Sequence, residues 1–77
     1  MARMKYSFQA FAESLGEGGY PLRPMDLTFP SHQEAREMVK SLGRRKPAIH
    51  MIYLRAEDGS LNERWLREGE DWRRENA

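Results

Sequence analysis

Hydrophobic and polar residues alternate at the start of the chain. Apolar side chains occupy every second position, at Met4, Tyr6, Phe8 and Ala10, and polar residues stand between them. Because successive side chains of a β-strand point to opposite faces, this alternation predicts a half-buried strand over residues 3–12. Residues 26–29, Asp-Leu-Thr-Phe, predict a second, short strand that pairs antiparallel with the first.

The segment between these two strands breaks the alternation. Residues 16–24 contain three glycines and two prolines, which disfavour both a helix and a long strand. We therefore predict a flexible Gly/Pro loop over residues 13–25. Loops of this kind often carry binding residues, and this one contains Tyr20 and Arg23.

An amphipathic helix is predicted from Ser31 onward. Ser31 can cap the first turn, and Glu34, three residues later, completes a capping box. Apolar residues then recur at the spacing of one helical face, at Ala35, Met38, Val39 and Leu42. Gly43 stands where helices commonly end, and Pro47 prevents the helix from continuing.

The C-terminal part of the chain predicts a β-hairpin. Residues 48–55 form a nearly continuous apolar run, which is typical of a central strand covered on both faces. Asp58 and Gly59 suit a tight turn, and residues 61–67 return as a strand with Leu61, Glu63, Trp65 and Arg67 on one face. A helix joining Leu61, Trp65 and Trp72 is the alternative, but the Asp-Gly turn favours the strand. Residues 69–77 are predicted to form a loose tail.

These elements define a single α+β domain over residues 1–77. We predict a small antiparallel sheet of about four strands, in the order β-β-α-β-β, with one amphipathic helix packed on one face. The chain has no cysteine, so no disulfide supports the fold. It also has no signal-peptide pattern and no apolar run that could span a bilayer. We therefore expect a cytoplasmic protein that does not interact with membranes.

The charge is dense but balanced, with 13 basic and 12 acidic residues. Proteins held to nucleic acid by phosphate contacts usually show a basic excess, so only a local patch could act this way. Such a patch would contain Arg44, Arg45, Lys46, Arg55, Arg64 and Arg67, with Tyr53 and Trp65 as stacking platforms. The alternative is that the first three cations stabilise the end of the helix dipole and that the aromatic residues pack in the sheet.

Candidate catalytic and metal-binding groups form no recognisable pattern. His32 and His50, the two histidines, lack the His-x-x-x-His spacing of a zinc helix. No serine lies in a Gly-x-Ser-x-Gly elbow. The Gly-Glu-Gly-Gly sequence at residues 16–19 lacks the Lys-Ser/Thr ending of a phosphate loop. We therefore predict a non-enzymatic protein that uses no metal or cofactor.

Aromatic and arginine residues near the C-terminus are candidates for a protein interface. Tryptophan and arginine are enriched at binding hot spots, and Trp72, Arg73 and Arg74 follow one another there. Together with Tyr20 and Arg23 they form the predicted contact set. The alternative for Trp72 is that it covers the open end of a small sheet. An exposed edge strand also leaves open whether the protein is a monomer or a homodimer.

In size, charge density and lack of catalytic motifs, the chain resembles the small phage-encoded inhibitor proteins, anti-CRISPR proteins among them. This resemblance implies a cofactor-free domain that occludes a surface of its partner. Our leading hypothesis is therefore a phage-type protein-binding module that inhibits a larger complex, such as one that handles nucleic acid. The alternative is a small nucleic-acid-binding domain that uses Arg44, Arg45, Lys46 and the C-terminal hairpin.

Overall fold

The computed structural model describes the backbone of residues 3–14 and 17–77, and the side chains of residues 3–12 and 22–77. In this part of the chain there are six strands and one helix. Their order and bounds are β1 (Met4–Ser14), β2 (Glu17–Pro21), β3 (Met25–Phe29), α1 (His32–Arg45), β4 (Ile49–Ala56), β5 (Asn62–Glu68) and β6 (Asp71–Asn76).

All six strands belong to one antiparallel sheet with the order β2-β1-β4-β5-β6. Strand β3 pairs with Met4–Phe8 of β1, and β2 pairs with Phe11–Ser14 on the same side of β1. The six strands therefore occupy five positions across the sheet. The predicted α+β class is confirmed, whereas the predicted strand count and order are wrong.

The two additional strands lie in segments that were predicted to be a loop and a tail. β2 forms within residues 13–25 because β1 continues to Ser14 and offers its backbone for pairing. β6 forms within residues 69–77 because Gly69, at φ +65°, makes a tight turn in which Glu68 pairs with Asp71. β6 has no apolar alternation that would predict a strand, because its charged side chains form ion pairs with β5 and do not pack in the core.

Helix α1 begins as predicted and ends later than predicted. The Ser31 hydroxyl accepts a hydrogen bond from the Glu34 backbone N–H at 3.3 Å, which confirms the N-cap. The helix then continues past Gly43 to Arg45, and Lys46 is the C-cap residue. A Cβ atom at position 43 would lie 2.4 Å from Cζ2 of Trp72. Glycine is therefore needed at position 43 for close packing and not to end the helix.

The core lies between α1 and one face of the sheet. Its largest fully buried side chains are Tyr6, Phe8, Val39, Ile49, Ile52 and Leu54. β4 is the central strand, as predicted, but the prediction that both of its faces are covered is wrong. Met51 and Tyr53 point away from the helix and are half-buried, and Arg55 on the same side is exposed. The apolar run therefore serves two different faces of the sheet.

Candidate binding surfaces

The six cations predicted to form a nucleic-acid patch lie on three separate surfaces, one with Arg45 and Lys46, one with Arg44 and Arg67, and one with Arg55 and Arg64. Arg44, Arg45 and Lys46 are exposed at the C-terminal end of α1. Arg55 and Arg64 lie on the sheet face opposite the helix, whereas Arg67 lies on the face that packs against it. The two aromatic residues separate in the same way, because Trp65 is a buried core residue and Tyr53 faces outward. These residues therefore do not form one continuous track.

Arg67 completes the C-terminal end of the helix. Its Nη2 donates to the Gly43 carbonyl and its Nε to the Ile49 carbonyl, both at 2.8 Å. Its guanidinium also lies 4.6 Å from the centre of the Trp72 ring, in cation–π geometry. Arg67 thus satisfies a carbonyl that the end of a helix leaves without a partner, and its role is structural.

The predicted protein-contact residues do not share one surface. Trp72 is packed against the core next to Gly43, which fits the interpretation that it covers the end of the sheet. Because β6 is a strand, Arg73 points to the opposite face and lies 3.4 Å from Glu68. Arg74 returns to the helix side, 3.7 Å from Glu63. The side chain of Tyr20 lies outside the described residues.

One pocket brings together cations from two distant parts of the chain. The basic pocket, as we name it, has a volume of about 320 Å³ and lies between the end of α1, β1 and the segment before β3. Arg23, Arg45 and Lys46 line it together with apolar residues. These are Phe8, Ala10, Leu22, Met25, Leu42 and Ile49.

Hydrogen bonds hold both sides of the basic pocket in place. The Leu22 N–H donates to the Ala10 carbonyl at 2.8 Å, and Gln9 Nε2 donates to the Leu22 carbonyl at 2.6 Å. These bonds fix the segment that carries Arg23 against β1. On the other side, the Lys46 N–H donates to the Leu42 carbonyl at 3.0 Å. The cations thus project from anchored backbone.

The basic pocket has no balancing negative charge among the described side chains. Arg23, Arg45 and Lys46 form no ion pair there, and the described lining contains no carboxylate. The negative end of the helix dipole favours Arg45 and Lys46. The helix dipole does not explain why Arg23, which belongs to a different segment, lines the same pocket as these two cations. An apolar pocket with this rim suits a ligand that has an apolar group beside negative charge.

A second groove, on the other side of the helix end, contains charged side chains of both signs. This tryptophan groove is lined by Lys40, Arg44, Arg67, Glu70, Asp71 and Trp72. Arg44 therefore lies near acidic residues, whereas its neighbour Arg45 lines the basic pocket. The two arginines are adjacent in sequence and both exposed, yet they belong to different surfaces.

The buried carboxylate of Glu63 belongs to the core. Only 3% of this residue is exposed, and it accepts hydrogen bonds from Arg36 Nε and Nη2 at 2.8–3.2 Å. Trp65 Nε1 donates to the same carboxylate at 3.3 Å. The hydrogen bond to Glu63 raises the pKa of Arg36. This cluster joins the helix to the sheet, and it is fully occupied by protein groups.

His32 links the start of the helix to the hairpin turn. Its Nδ1 lies 2.7 Å from the Tyr6 hydroxyl, and its Nε2 lies 3.3 Å from Ser60 Oγ. Burial raises the pKa of the Tyr6 phenol. Sequence reasoning missed this contact because its members lie 26 and 28 residues apart and no local spacing indicates it. His32 thus connects the start of α1 with β1 and with the turn between β4 and β5, where Ser60 is exposed.

Comparisons of the chain with protein-family models, curated proteins and solved structures find no match. Among residues 3–14 and 17–77, no helix has the length and the apolar composition that crossing a membrane requires. Nor do they include a group of three or more His, Cys, Asp or Glu residues placed to hold a metal ion.

Proposed function

We propose that this protein is a non-enzymatic binding module whose basic pocket receives an acidic segment of a protein partner. The observation that supports this most directly is the convergence of Arg23 with Arg45 and Lys46 around an apolar floor. Like charges that converge repel each other, and no described carboxylate lines the pocket to offset this repulsion. A partner that supplies carboxylates relieves this repulsion, and its apolar side chain fills the pocket.

The shape of the pocket supports a protein segment as the ligand. Its volume of about 320 Å³ is at the small end of the range for small-molecule sites, and it suits an apolar side chain. A phosphate backbone would leave the apolar floor unused. In the inhibitory form of this proposal, the domain covers the surface of a larger complex from which the segment protrudes. The small inhibitor proteins that the chain resembles in size and charge work in this way.

A backbone-amide NMR titration tests the proposal with a peptide in which glutamates flank a Leu-Phe pair. We expect the amides of Leu22, Met25 and Leu42 to shift, with binding that weakens as salt is added. Arg45→Glu should reduce the affinity at least about tenfold. Arg44→Glu is the matched control. It changes the net charge and the interaction with the helix dipole as much as Arg45→Glu does, but Arg44 lies in the tryptophan groove. Equal losses in both variants would contradict a specific pocket.

The same titration with a short oligonucleotide tests the alternative of a nucleic-acid-binding domain. A protein that contacts several phosphates loses affinity by orders of magnitude between about 50 and 200 mM salt. Tight binding with that salt dependence, lost equally in Arg44→Glu and Arg45→Glu, would favour nucleic acid over a protein segment. We expect no such binding, because the cations lie on three separate surfaces.

A further inference from the structure

Strand β3 lies at one edge of the sheet, beside the basic pocket. It pairs with β1 on one side, and no described strand lies on its other side. Its first residue, Met25, lines the basic pocket, as does Arg23, which stands two residues earlier. The open backbone edge of β3 therefore begins at the pocket that we propose as a binding site.

The hydrogen bonds of β1 show which of its backbone groups face β3. The Ala10 carbonyl accepts a hydrogen bond from Leu22, on the side of β1 where β3 lies. The Lys5 carbonyl accepts one from Glu57, on the opposite side, where β4 lies. Successive residues of an antiparallel strand direct their N–H and C=O groups to alternate sides. The even-numbered residues of β1 therefore direct theirs toward β3.

This alternation leaves Asp26 and Thr28 with free backbone groups. The even-numbered residues of β1 pair with Met25, Leu27 and Phe29, which are therefore the β3 residues that bond to β1. Asp26 and Thr28 stand between them and direct their N–H and C=O groups away from β1. The open edge thus offers two donors and two acceptors in the geometry of a β-ladder.

The two edges of the sheet differ in charge. β6, at the far edge, has the sequence Asp-Trp-Arg-Arg-Glu-Asn, and dense charge keeps other chains from pairing with an exposed strand. β3 has the sequence Met-Asp-Leu-Thr-Phe, in which Asp26 is the single charged residue. Pro24 and Pro30 flank this strand and limit its edge to one short segment. The edge beside the basic pocket is therefore the one that can accept an added strand.

We infer that the acidic segment of the protein partner binds as an added strand on the open edge of β3. This inference rests on the proposed function and specifies the conformation of the bound segment. Backbone hydrogen bonds to Asp26 and Thr28 give affinity, and alternate side chains give specificity. Antiparallel pairing, the more stable arrangement, directs the C-terminal end of the segment toward the start of β3. Its carboxylates then reach Arg23, Arg45 and Lys46.

Apolar side chains on the helix side of β3 suit such a strand. Leu27 and Phe29 pack against the core and are half-buried. Met38 is also half-buried and lies one helical turn before Leu42, on the side of α1 that lines the basic pocket. Every second side chain of an added strand faces this surface. We therefore expect apolar residues at alternate positions of the segment, N-terminal to its carboxylates.

Other occupants match this edge less well. A second copy of the chain would bring Asp26 as the single carboxylate of its β3, and that side chain alternates with Met25 and so lies on the face opposite the basic pocket. A nucleic acid offers no alternating N–H and C=O groups to pair with Thr28 and Asp26. An extended acidic segment supplies both the backbone groups and the negative charge.

N-methylated peptides test the inference without altering the protein. The parent is an amidated peptide in which Val-Thr-Val-Thr precedes Glu-Leu-Phe-Glu, and amide shifts of Leu22 and Met25 measure its affinity. A methyl group on a peptide nitrogen removes a donor and blocks pairing. We expect losses of at least about tenfold at the two alternate positions opposite Asp26 and Thr28, and changes within about threefold at the positions between them.

The outcomes of this scan separate the inference from the proposed function. A parent peptide that binds the basic pocket but tolerates methylation everywhere, or loses affinity equally at consecutive positions, would overturn the added strand and leave the proposed function standing. A parent peptide that does not bind would overturn both.

Variants of Thr28 test the same edge from the side of the protein. Proline is tolerated in an edge strand where its nitrogen faces solvent, so Thr28→Pro removes one free donor, and a circular dichroism melt shows that the protein remains folded. We expect it to bind the parent peptide about three- to tenfold more weakly. Thr28→Val is the matched control, because it keeps the N–H and loses only the hydroxyl. Equal affinities of the two variants, or a peptide-free dimer that Thr28→Pro dissociates, would contradict the inference.

Discussion

The two sides of the α1 C-terminus present arginines in opposite surroundings. In the tryptophan groove, Arg67 donates to two backbone carbonyls and stacks on Trp72, with Glu70 and Asp71 nearby. In the basic pocket, Arg23 and Arg45 line an apolar surface with no carboxylate among the described residues. The same side chain type therefore completes the fold on one side, and on the other side it lines the pocket that we propose as a binding site. Arg67 is half-buried and surrounded by acceptors, whereas Arg23 and Arg45 are exposed and have none among the described residues.

Arg67→Ala should have the largest effect on stability. The substitution leaves the Gly43 and Ile49 carbonyls without their donor and removes the cation over Trp72. We expect the free energy of unfolding to fall by about 2–3 kcal/mol. Urea denaturation measures this difference. Arg67→Lys should recover only part of the loss, because one ammonium cannot reproduce the fork that reaches both carbonyls.

If Arg67→Ala changes the urea midpoint no more than Arg45→Ala does, the contrast between the tryptophan groove and the basic pocket is wrong. Arg45→Ala is the matched control because it removes an arginine from the same helix end without breaking a described hydrogen bond. Its effect should be limited to the helix dipole, a few tenths of a kcal/mol.

Gly43→Ala should destabilise the protein by about 1–3 kcal/mol because the new methyl group overlaps the Trp72 ring. In a Trp72→Ala background the same substitution should become neutral or stabilising, by up to about 1 kcal/mol, since alanine is the better helix former. A double-mutant cycle from urea melts measures this change of sign. A similar cost in both backgrounds would show that Trp72 does not require the glycine.

Arg23→Gln should leave stability unchanged or raise it slightly, and in Arg45→Gln the gain is offset by the lost interaction with the helix dipole, a few tenths of a kcal/mol. Each removes one of three like charges that lack a described counterion, so we expect a gain of at most about 0.5 kcal/mol at low salt. The gain should disappear in high salt, where repulsion between exposed charges is screened. A loss of more than about 1 kcal/mol for either variant would reveal a structural partner and remove the argument for a binding site.

Local sequence patterns predicted most of the fold that depends on burial. The alternation in β1 follows a two-residue period, and so do Leu61, which precedes β5, and Glu63 and Trp65 within it. The structure confirms both patterns. Ser31 was identified because capping depends on residues only three positions apart. The two-residue period did not predict β6, because β6 is stabilised by charged side chains on the neighbouring strand β5. A period-two search finds apolar faces, and β6 has none to find.

The candidate sites depended on contacts that sequence order does not show. Arg45 and Lys46 are adjacent in sequence, so they could be predicted to form a cluster. Arg23 lines the same pocket only because the end of α1 lies close to the start of β3 in the fold. Gly43 was interpreted as a helix end, because a glycine that makes room for an aromatic ring from β6 looks the same in sequence. Trp72 was predicted to be an interface residue, with a cap over the end of the sheet as the alternative, because its packing surface comes from a helix that is distant in sequence.

The contrast between satisfied and unsatisfied charges extends to pH. Glu75 accepts a hydrogen bond from Arg64, and this bond lowers the pKa of the Glu75 carboxyl below its ordinary value of 4.5. A carboxylate with a lowered folded-state pKa stabilises the protein above its unfolded-state pKa, and that contribution is lost as the pH falls through the folded-state value. We expect urea midpoints to fall as the pH drops below about 4.5, less steeply in Glu75→Gln. Arg45→Gln should follow the wild-type slope, because Arg45 has no carboxylate partner among the described residues. A flattened slope in Arg45→Gln would indicate such a partner and place Arg45 among the structural arginines.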